Sequence, residues 1–423
     1  MPKKTKKRKL RIKLGRRDII WLSAAGSVAL LLILAGLWLY TNTSIFPRKI
    51  SQEALNQNNL NETNSSIPLV AQEVDGKIVN TPEDMTVSVY ARGIQSARFF
   101  AFGPSDTMFV GSSTDDGIYV VRDMDGDGTA EDVKKIDKDL NTPHSVFYYN
   151  GDLYLAEETR VSVYRNMNED GTYEKKDVII DNLPGGNRLT GGGHKTRTVA
   201  VGPDNKLYVS IGSSCNVCVE DDQRRATIMR YNLDGSSEET LATGLRNTVG
   251  FDFNDAGELY GADMGRDLIG DDTPPEEINK IEQGKNYGWP YCYGNKINNP
   301  EYKDRMQYCM DNTSAPSFEM QAHSAPLGFL FMKALERDVW PEQFQNGYFV
   351  ALHGSWNRTT PTGYKFVWVD TSGPQPKLHN FLTGFLDDKG SVWGRPVGLG
   401  FDSNGNLYVS DDKQGLIYKI TPR

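Results

Sequence analysis

Residues 202–212 read GPDNKLYVSIG, a turn of Gly, Pro, Asp and Asn that runs into the strand-forming Leu-Tyr-Val. The same order returns at 103–113 (GPSDTMFVGSS), 149–158 (YNGDLYLAEE), 254–265 (NDAGELYGADMG), 344–355 (FQNGYFVALHGS) and 402–412 (DSNGNLYVSDD). Gly, Asn and Asp tolerate the positive φ of tight hairpin turns, and aromatic and β-branched residues suit the strand that follows. The anchors are Phe109, Tyr154, Tyr208, Tyr260, Tyr348 and Tyr408, spaced somewhat wider than common propeller repeats. The longest interval, before Tyr348, reads as holding an insertion at about 287–325. Few helical patterns follow residue 40. The expectation is an all-β fold, a six-bladed β-propeller over 82–423. Such a fold does not by itself select a chemistry.

Working back from the propeller, the first 18 residues carry ten Lys/Arg against the single Asp18, so the net charge of −8 for all 423 residues hides a strongly acidic remainder. Residues 19–40 carry no charge. At about 1.5 Å per residue they reach across a hydrocarbon core of roughly 30 Å, with Trp21, Trp38 and Tyr40 near the ends. The expectation is a single-pass cell-membrane anchor preceding the propeller, with the basic tail 1–18 cytoplasmic and contacting lipid headgroups rather than nucleic acid. The apolar run is longer than a cleaved signal peptide needs and has no clear A-x-A site after it. Residues 41–81, rich in Asn and Ser at first, read as a flexible polar linker. A hydrophobic fraction of 38% excludes a polytopic membrane protein, and 10% aromatic content argues against wholesale disorder.

The four Cys all fall outside the cytoplasm on this topology. Cys215 and Cys218 form a C-x-x-C, while Cys292 and Cys309 have sixteen residues between them and no His at ligand spacing. Zinc is therefore disfavoured, and disulfides 215–218 and 292–309 are expected, with three connectivities open on sequence alone. Asp123, Asp125 and Asp127 begin like a calcium loop, but an EF-hand needs Glu at its twelfth position and Lys134 stands there. A Gly-stabilised acidic turn is the preferred reading. Three of the five His occupy Gly- or Pro-marked loops: His144, His194 and His353. His194 follows three glycines and precedes a blade strand, where a tunable base meets a ligand at one end of the propeller. Arg246 with Asn247, and Arg395, enter their strands in the same manner. Forked guanidinium groups there suit an anionic, planar or polycarboxylate ligand, or else they bridge blades. The loop 263–277 holds six carboxylates beside Gly-rich turns that expose carbonyls, a composition suited to calcium or to a solvated acidic loop.

Taken together, HKTRTVAVGPDNKLYVSIGSSCNVC, GLRNTVGFDF, DMGRDLIGDDTPPEEINKI, AHSAPLGF, ALHGSWNR and GRPVGLGFDSNGNLYVSDD resemble, in order, the pyrroloquinoline quinone (PQQ)-dependent sugar dehydrogenases. The sorbosone-dehydrogenase-like branch is the nearest in pattern. The resemblance implies PQQ and Ca2+ at one end of the channel. It also implies His194 as the base taking a hydroxyl proton, Arg246 and Asn247 at the quinone oxygens, and Arg395 on a cofactor carboxylate. It places Gly265 and Arg266 where the family uses two backbone carbonyls to hold calcium. Glu277 is grouped with the metal ligands, and His353 and Arg358 with the cofactor side. The chain departs from glucose-oxidising members at Gly265-Arg266, where they have Gly-Pro, and at Val397, where they have a second arginine. The expected activity is oxidation of an aldose or related sugar outside the cytoplasm, with electrons passing to a respiratory or quinone acceptor. A calcium-dependent lactonase and a non-catalytic binding propeller are the alternatives.

Overall fold

Each of the six anchors lies on the second strand of a four-stranded antiparallel sheet: Met108–Ser112, Asp152–Ala156, Lys206–Ile211, Leu259–Asp263, Gly347–Leu352 and Leu407–Asp411. These strands are almost wholly buried, which is why they carry Leu, Tyr, Phe and Val. The strand preceding each is innermost: Ala97–Phe102, Ser145–Tyr149, Arg197–Val201, Thr248–Phe253, Pro326–Phe331 and Pro396–Phe401. Each inner strand neighbours the next, and the last returns to the first, so the six blades close around an axis. This is a six-bladed propeller. The computed structural model describes residues 67–185, 193–387 and 389–423. The basic tail, the apolar span and the linker up to residue 66 lie outside the described residues. Among the described residues no helix is long and apolar enough to cross a membrane.

Closure uses both ends of the described chain. Pro396–Phe401, Leu407–Asp411 and Leu416–Pro422 supply three strands of one blade, and Met85–Arg92 supplies the fourth, pairing from Pro422↔Met85 to Leu416↔Arg92. The inner strands approach so closely that a side chain does not fit at certain points. A methyl group built on Gly250 would overlap the carbonyl of Leu327, and one on Gly328 would overlap the carbonyl of Val397. Both glycines are therefore spacers between blades. Replacing Gly328 by Ala forces the backbone apart in a packed interior, and the expected cost is about 1–3 kcal/mol in urea unfolding.

Two readings of chain organisation are corrected. Linker 41–81 ends earlier than expected, because Leu69–Val74 and Lys77–Pro82 form a hairpin. Asn80 and Thr383 exchange backbone hydrogen bonds of 3.0 and 2.9 Å, and Val79 and Thr81 are buried. The hairpin is mostly polar, so it resembles a linker; its marker is the turn Asp75-Gly76, both at positive φ. The 287–325 segment is also not wholly an insertion, since Phe318–Met320 is the fourth strand beside Glu276–Ile281. The remainder forms a small hairpin, Cys292–Tyr293 with Ile297–Asn298, and a helix, Met306–Asn312. The disulfide Cys292–Cys309 joins the two, and Cys215–Cys218 is the second disulfide, as expected.

Candidate active site

Because the first and second strands of a blade are antiparallel, residues ahead of the first and beyond the second share one end of the toroid. His194, Arg246, Asn247 and Arg395 precede inner strands; Ser213, Met264–Arg266, His353 and Asp412 follow second strands. Register shifts at Thr248/Gly250 and Pro396/Leu399 lie just inside this end and re-aim the residues beside them.

His194 is held by its backbone N–H, which donates to Ser213 O at 2.9 Å, and by Nδ1, which lies 3.0 Å from Ser213 Oγ. No described group bonds its Nε2. Burial and the nearby Arg246 guanidinium push its pKa well below the usual 6.5, so the ring is neutral at neutral pH. Gly212 is the floor between His194 and Asn247. A side chain there would strike Asn247 Oδ1 and the His194 ring, so these two candidate residues do converge.

Arg246 is used differently from the expectation. Nε donates to Asn216 O (3.1 Å) and Nη1 to Gly265 O (2.7 Å) and Met264 O (3.4 Å). Nη2 donates to Asn216 Oδ1 (2.9 Å) and Asp267 Oδ2 (3.1 Å). A guanidinium has five N–H donors, and all five are spent on the protein. The group ties the Cys215–Cys218 loop to the turn after Leu259–Asp263. Asp263 anchors the same place from beneath, accepting the backbone N–H of Arg246 (3.0 Å) and Asn247 (2.8 Å) and the hydroxyl of Thr248 (2.8 Å). Burial raises its pKa to about 6.

Gly265, Arg266 and Glu277, the three residues expected to hold the metal, line one cavity of about 20 Å3 together with Asp263 and Asn299. Gly265 N–H donates to Glu276 Oε2 at 2.7 Å. The Arg266 guanidinium donates to Asn299 Oδ1 at 2.8 Å and pairs with Glu301. Glu277 accepts Gly294 N–H (2.7 Å) and Asn279 Nδ2 (3.0 Å); burial, then the Asp263 charge, raises its pKa to about 8. Elsewhere, the carboxylates of Asp123, Asp125 and Asp127 accept bonds from amides of their own turn. Glu131, not marked from the sequence, joins them, and one oxygen from each of the four lies within 4.8 Å of the others, close enough to share a cation.

Arg395 donates from Nη1 to His353 Nδ1 (3.3 Å) and lies 5.3 Å over the Tyr364 ring. No described partner takes its remaining side-chain donors. His353 Nε2–H meets the Asp412 carboxylate at 3.0 Å, and Arg98 joins Asp412 (2.7 Å) to His144 Nδ1 (3.1 Å). Arg98 and Asp412 were not legible as site residues. Arg358 does not turn towards His194: it binds Asp271 O (2.9 Å), Thr360 O (2.7 Å) and Asp272 Oδ1 (2.6 Å), latching two rim loops. Its neighbour Asn357 reaches inward instead, donating to Asp267 Oδ1 at 2.7 Å. His144 is fully buried, and its pKa lies well below 6.5 through burial and Arg98. Below pH 6.5 the unfolded chain therefore takes up a proton that the folded chain refuses. Stability should fall with falling pH by about 1.4 kcal/mol per unit from this group. Denaturant unfolding at pH 7.5 and 5.5 should show a shallower fall for His144→Asn than for the native chain.

The chain is 32% identical over 373 residues to an uncharacterised protein of Borreliella burgdorferi, covering 84% of this chain and 94% of that one. It is 28% identical over 296 residues to a PQQ-dependent pyranose dehydrogenase of Coprinopsis cinerea, covering 54% of this chain and 39% of that protein's length. A calcium structure of the Trichoderma reesei carbohydrate-active enzyme family AA12 superposes with a TM-score of 0.69 at 21% identity, over 83% of this chain and 99% of that one; this likeness establishes fold. The resemblance to PQQ-dependent sugar dehydrogenases read from the motifs is thus borne out. A family model described as TrAA12-like matches residues 79–423, taking in every blade and the whole of the end that carries His194, Arg246 and Arg395, and the chain belongs to that family.

Proposed function

We propose that the protein is a PQQ- and calcium-dependent dehydrogenase that oxidises an aldose or related sugar at the His194 end of the propeller. The observation that carries this reading is a neutral imidazole with an open Nε2, set among buried arginines. The residues suit both groups. Arg395 keeps side-chain donors for a carboxylate, and guanidinium pairs bidentately with such groups. Gly265 O accepts one bond from Arg246 and retains a second lone pair, and Arg266 O has no donor among the described residues, so both carbonyls suit a hard cation. Buried carboxyl groups at Asp263, Glu276 and Glu277 lie close by, and a cation bound there would favour their ionised forms. PQQ, when bound, supplies the hydride acceptor. His194 Nε2 takes the proton of the substrate hydroxyl as the C–H bond breaks, and the flanking arginines disfavour a second proton on the ring before substrate arrives. Asn247, set beside His194 across Gly212, donates one Nδ2 hydrogen to Met264 Sδ (3.2 Å) and keeps the other for a ligand.

The residue 19–40 anchor would place this end of the propeller outside the cytoplasm, where the bound cofactor would pass its electrons to a respiratory or quinone acceptor. The test is purified full chain loaded with PQQ and Ca2+, titrated by absorbance and assayed by dye reduction with a panel of aldoses, ketoses and sugar aldehydes. Saturable PQQ binding with turnover of at least one sugar is expected. Stoichiometric PQQ binding with no sugar oxidised would overturn the substrate class, and no PQQ binding would overturn the whole reading.

A further inference from the structure

We propose that the disulfide-closed loop Cys215–Cys218 fixes which nitrogen of His194 is reactive, with Ser213 as the positioning residue that transmits the choice. Ser213 Oγ lies 2.7 Å from the carbonyl oxygen of Cys215 and 3.0 Å from His194 Nδ1. A hydroxyl has one proton to give, and a carbonyl can only accept. The Ser213 proton therefore goes to Cys215 O. The remaining contact is satisfied only when Nδ1 carries the hydrogen and donates to Oγ. A neutral ring has one N–H, so Nε2 is left with its lone pair. The opposite tautomer would either set the Nδ1 lone pair against the Ser213 oxygen with no proton between them, or draw the Ser213 proton to Nδ1 at the expense of its bond to Cys215 O.

The Cys215 carbonyl is itself held in place. The Cys215–Cys218 bond closes the loop over three residues. On one side Ser214 donates from N (2.7 Å) and Oγ (2.6 Å) to the Glu220 carboxylate. On the other, Asn216 Oδ1 accepts from Arg246 (2.9 Å) and from the Asp267 N–H (2.8 Å), and Asn216 Nδ2 donates to Asp267 O (3.0 Å). Ser213 N–H donates to Arg246 O at 2.8 Å, so base and arginine are referred to one frame. Arg246, Arg197 and Arg225 all oppose protonation of His194. Charge keeps the ring neutral, and the loop decides where its single hydrogen sits.

The catalytic consequence rests on the dehydrogenase reading above; the tautomer does not. The decisive measurement is two-bond 1H–15N correlation of the imidazoles in 15N-histidine-labelled full chain at pH 7.5 without cofactor, with His194→Gln identifying the signal. The native chain should show the Nδ1–H pattern at His194. Ser213→Ala should move it to Nε2–H or a mixture, and Ser213→Thr, which keeps the hydroxyl, should restore it. The other four histidines should be unchanged in both variants, reporting an intact fold. Cys215→Ser/Cys218→Ser should weaken the preference by releasing the carbonyl. In the loaded enzyme Ser213→Ala should lower kcat on the order of 10²-fold with little change in sugar KM, and Ser213→Thr should recover most of it. A native Nε2–H pattern, or a pattern indifferent to Ser213→Ala, would overturn the proposal even in an active dehydrogenase. The expected tautomers in a chain that oxidises no sugar would uphold it while the dehydrogenase reading fell.

Discussion

His194→Gln is expected to reduce kcat by about 10²–10⁴-fold, the range that a positioned general base contributes, while PQQ binding stays within a few-fold of native. Gln fills much of the imidazole volume and its amide can still bond Ser213, so the loss reads as chemistry and not as collapse. The pH profile gives a second signature. Only the neutral ring accepts a proton, and burial with Arg246 holds its pKa well below 6.5. Activity should therefore persist below pH 6.5, with the acid limb of kcat/KM falling later than for an ordinary histidine. A profile that falls with a midpoint at or above 6.5 would assign the base elsewhere.

Arg246→Ala is expected to destabilise the folded protein by about 3–5 kcal/mol, because removing one partner of a buried charged cluster leaves the others unpaired. Asp267 loses its ion pair, and the Gly265 and Asn216 carbonyls lose donors inside the structure. Arg246→Lys should recover little, since an ammonium offers three donors from one point where the site uses five in a fork. Denaturant midpoints of the cofactor-free chain measure this directly. A change below 1 kcal/mol would mean that the guanidinium is free to serve the ligand and that the five contacts carry no weight.

These two residues mark how far the sequence could be read. His194, Arg246, Asn247 and Arg395 were found because the blade repeat is local. Once the Leu-Tyr-Val strands are aligned, the residues ahead of each inner strand fall at one end by topology alone. What each side chain binds is not local. The five acceptors of Arg246 lie on two loops 18 to 30 residues away, and Arg98 meets Asp412 across 314 positions. No periodicity encodes such a pairing, so Arg358 was drawn into the site by its motif while its guanidinium serves the rim. Ser213 and Asn216 went unmarked for a similar reason: Ser and Asn beside cysteines are ordinary turn residues until their partners are known. Phe318–Met320 escaped because three residues are too few to show alternation.

The blade stitched from Met85–Arg92 and Leu416–Pro422 has a consequence for biogenesis. A ribosome makes the first of these strands long before its mate. Until then the growing chain exposes two unpaired sheet edges, the kind of surface that recruits chaperones or other nascent chains. A stop codon placed ahead of Leu416 should therefore yield an open, aggregation-prone arc with five finished blades and no sealed ring.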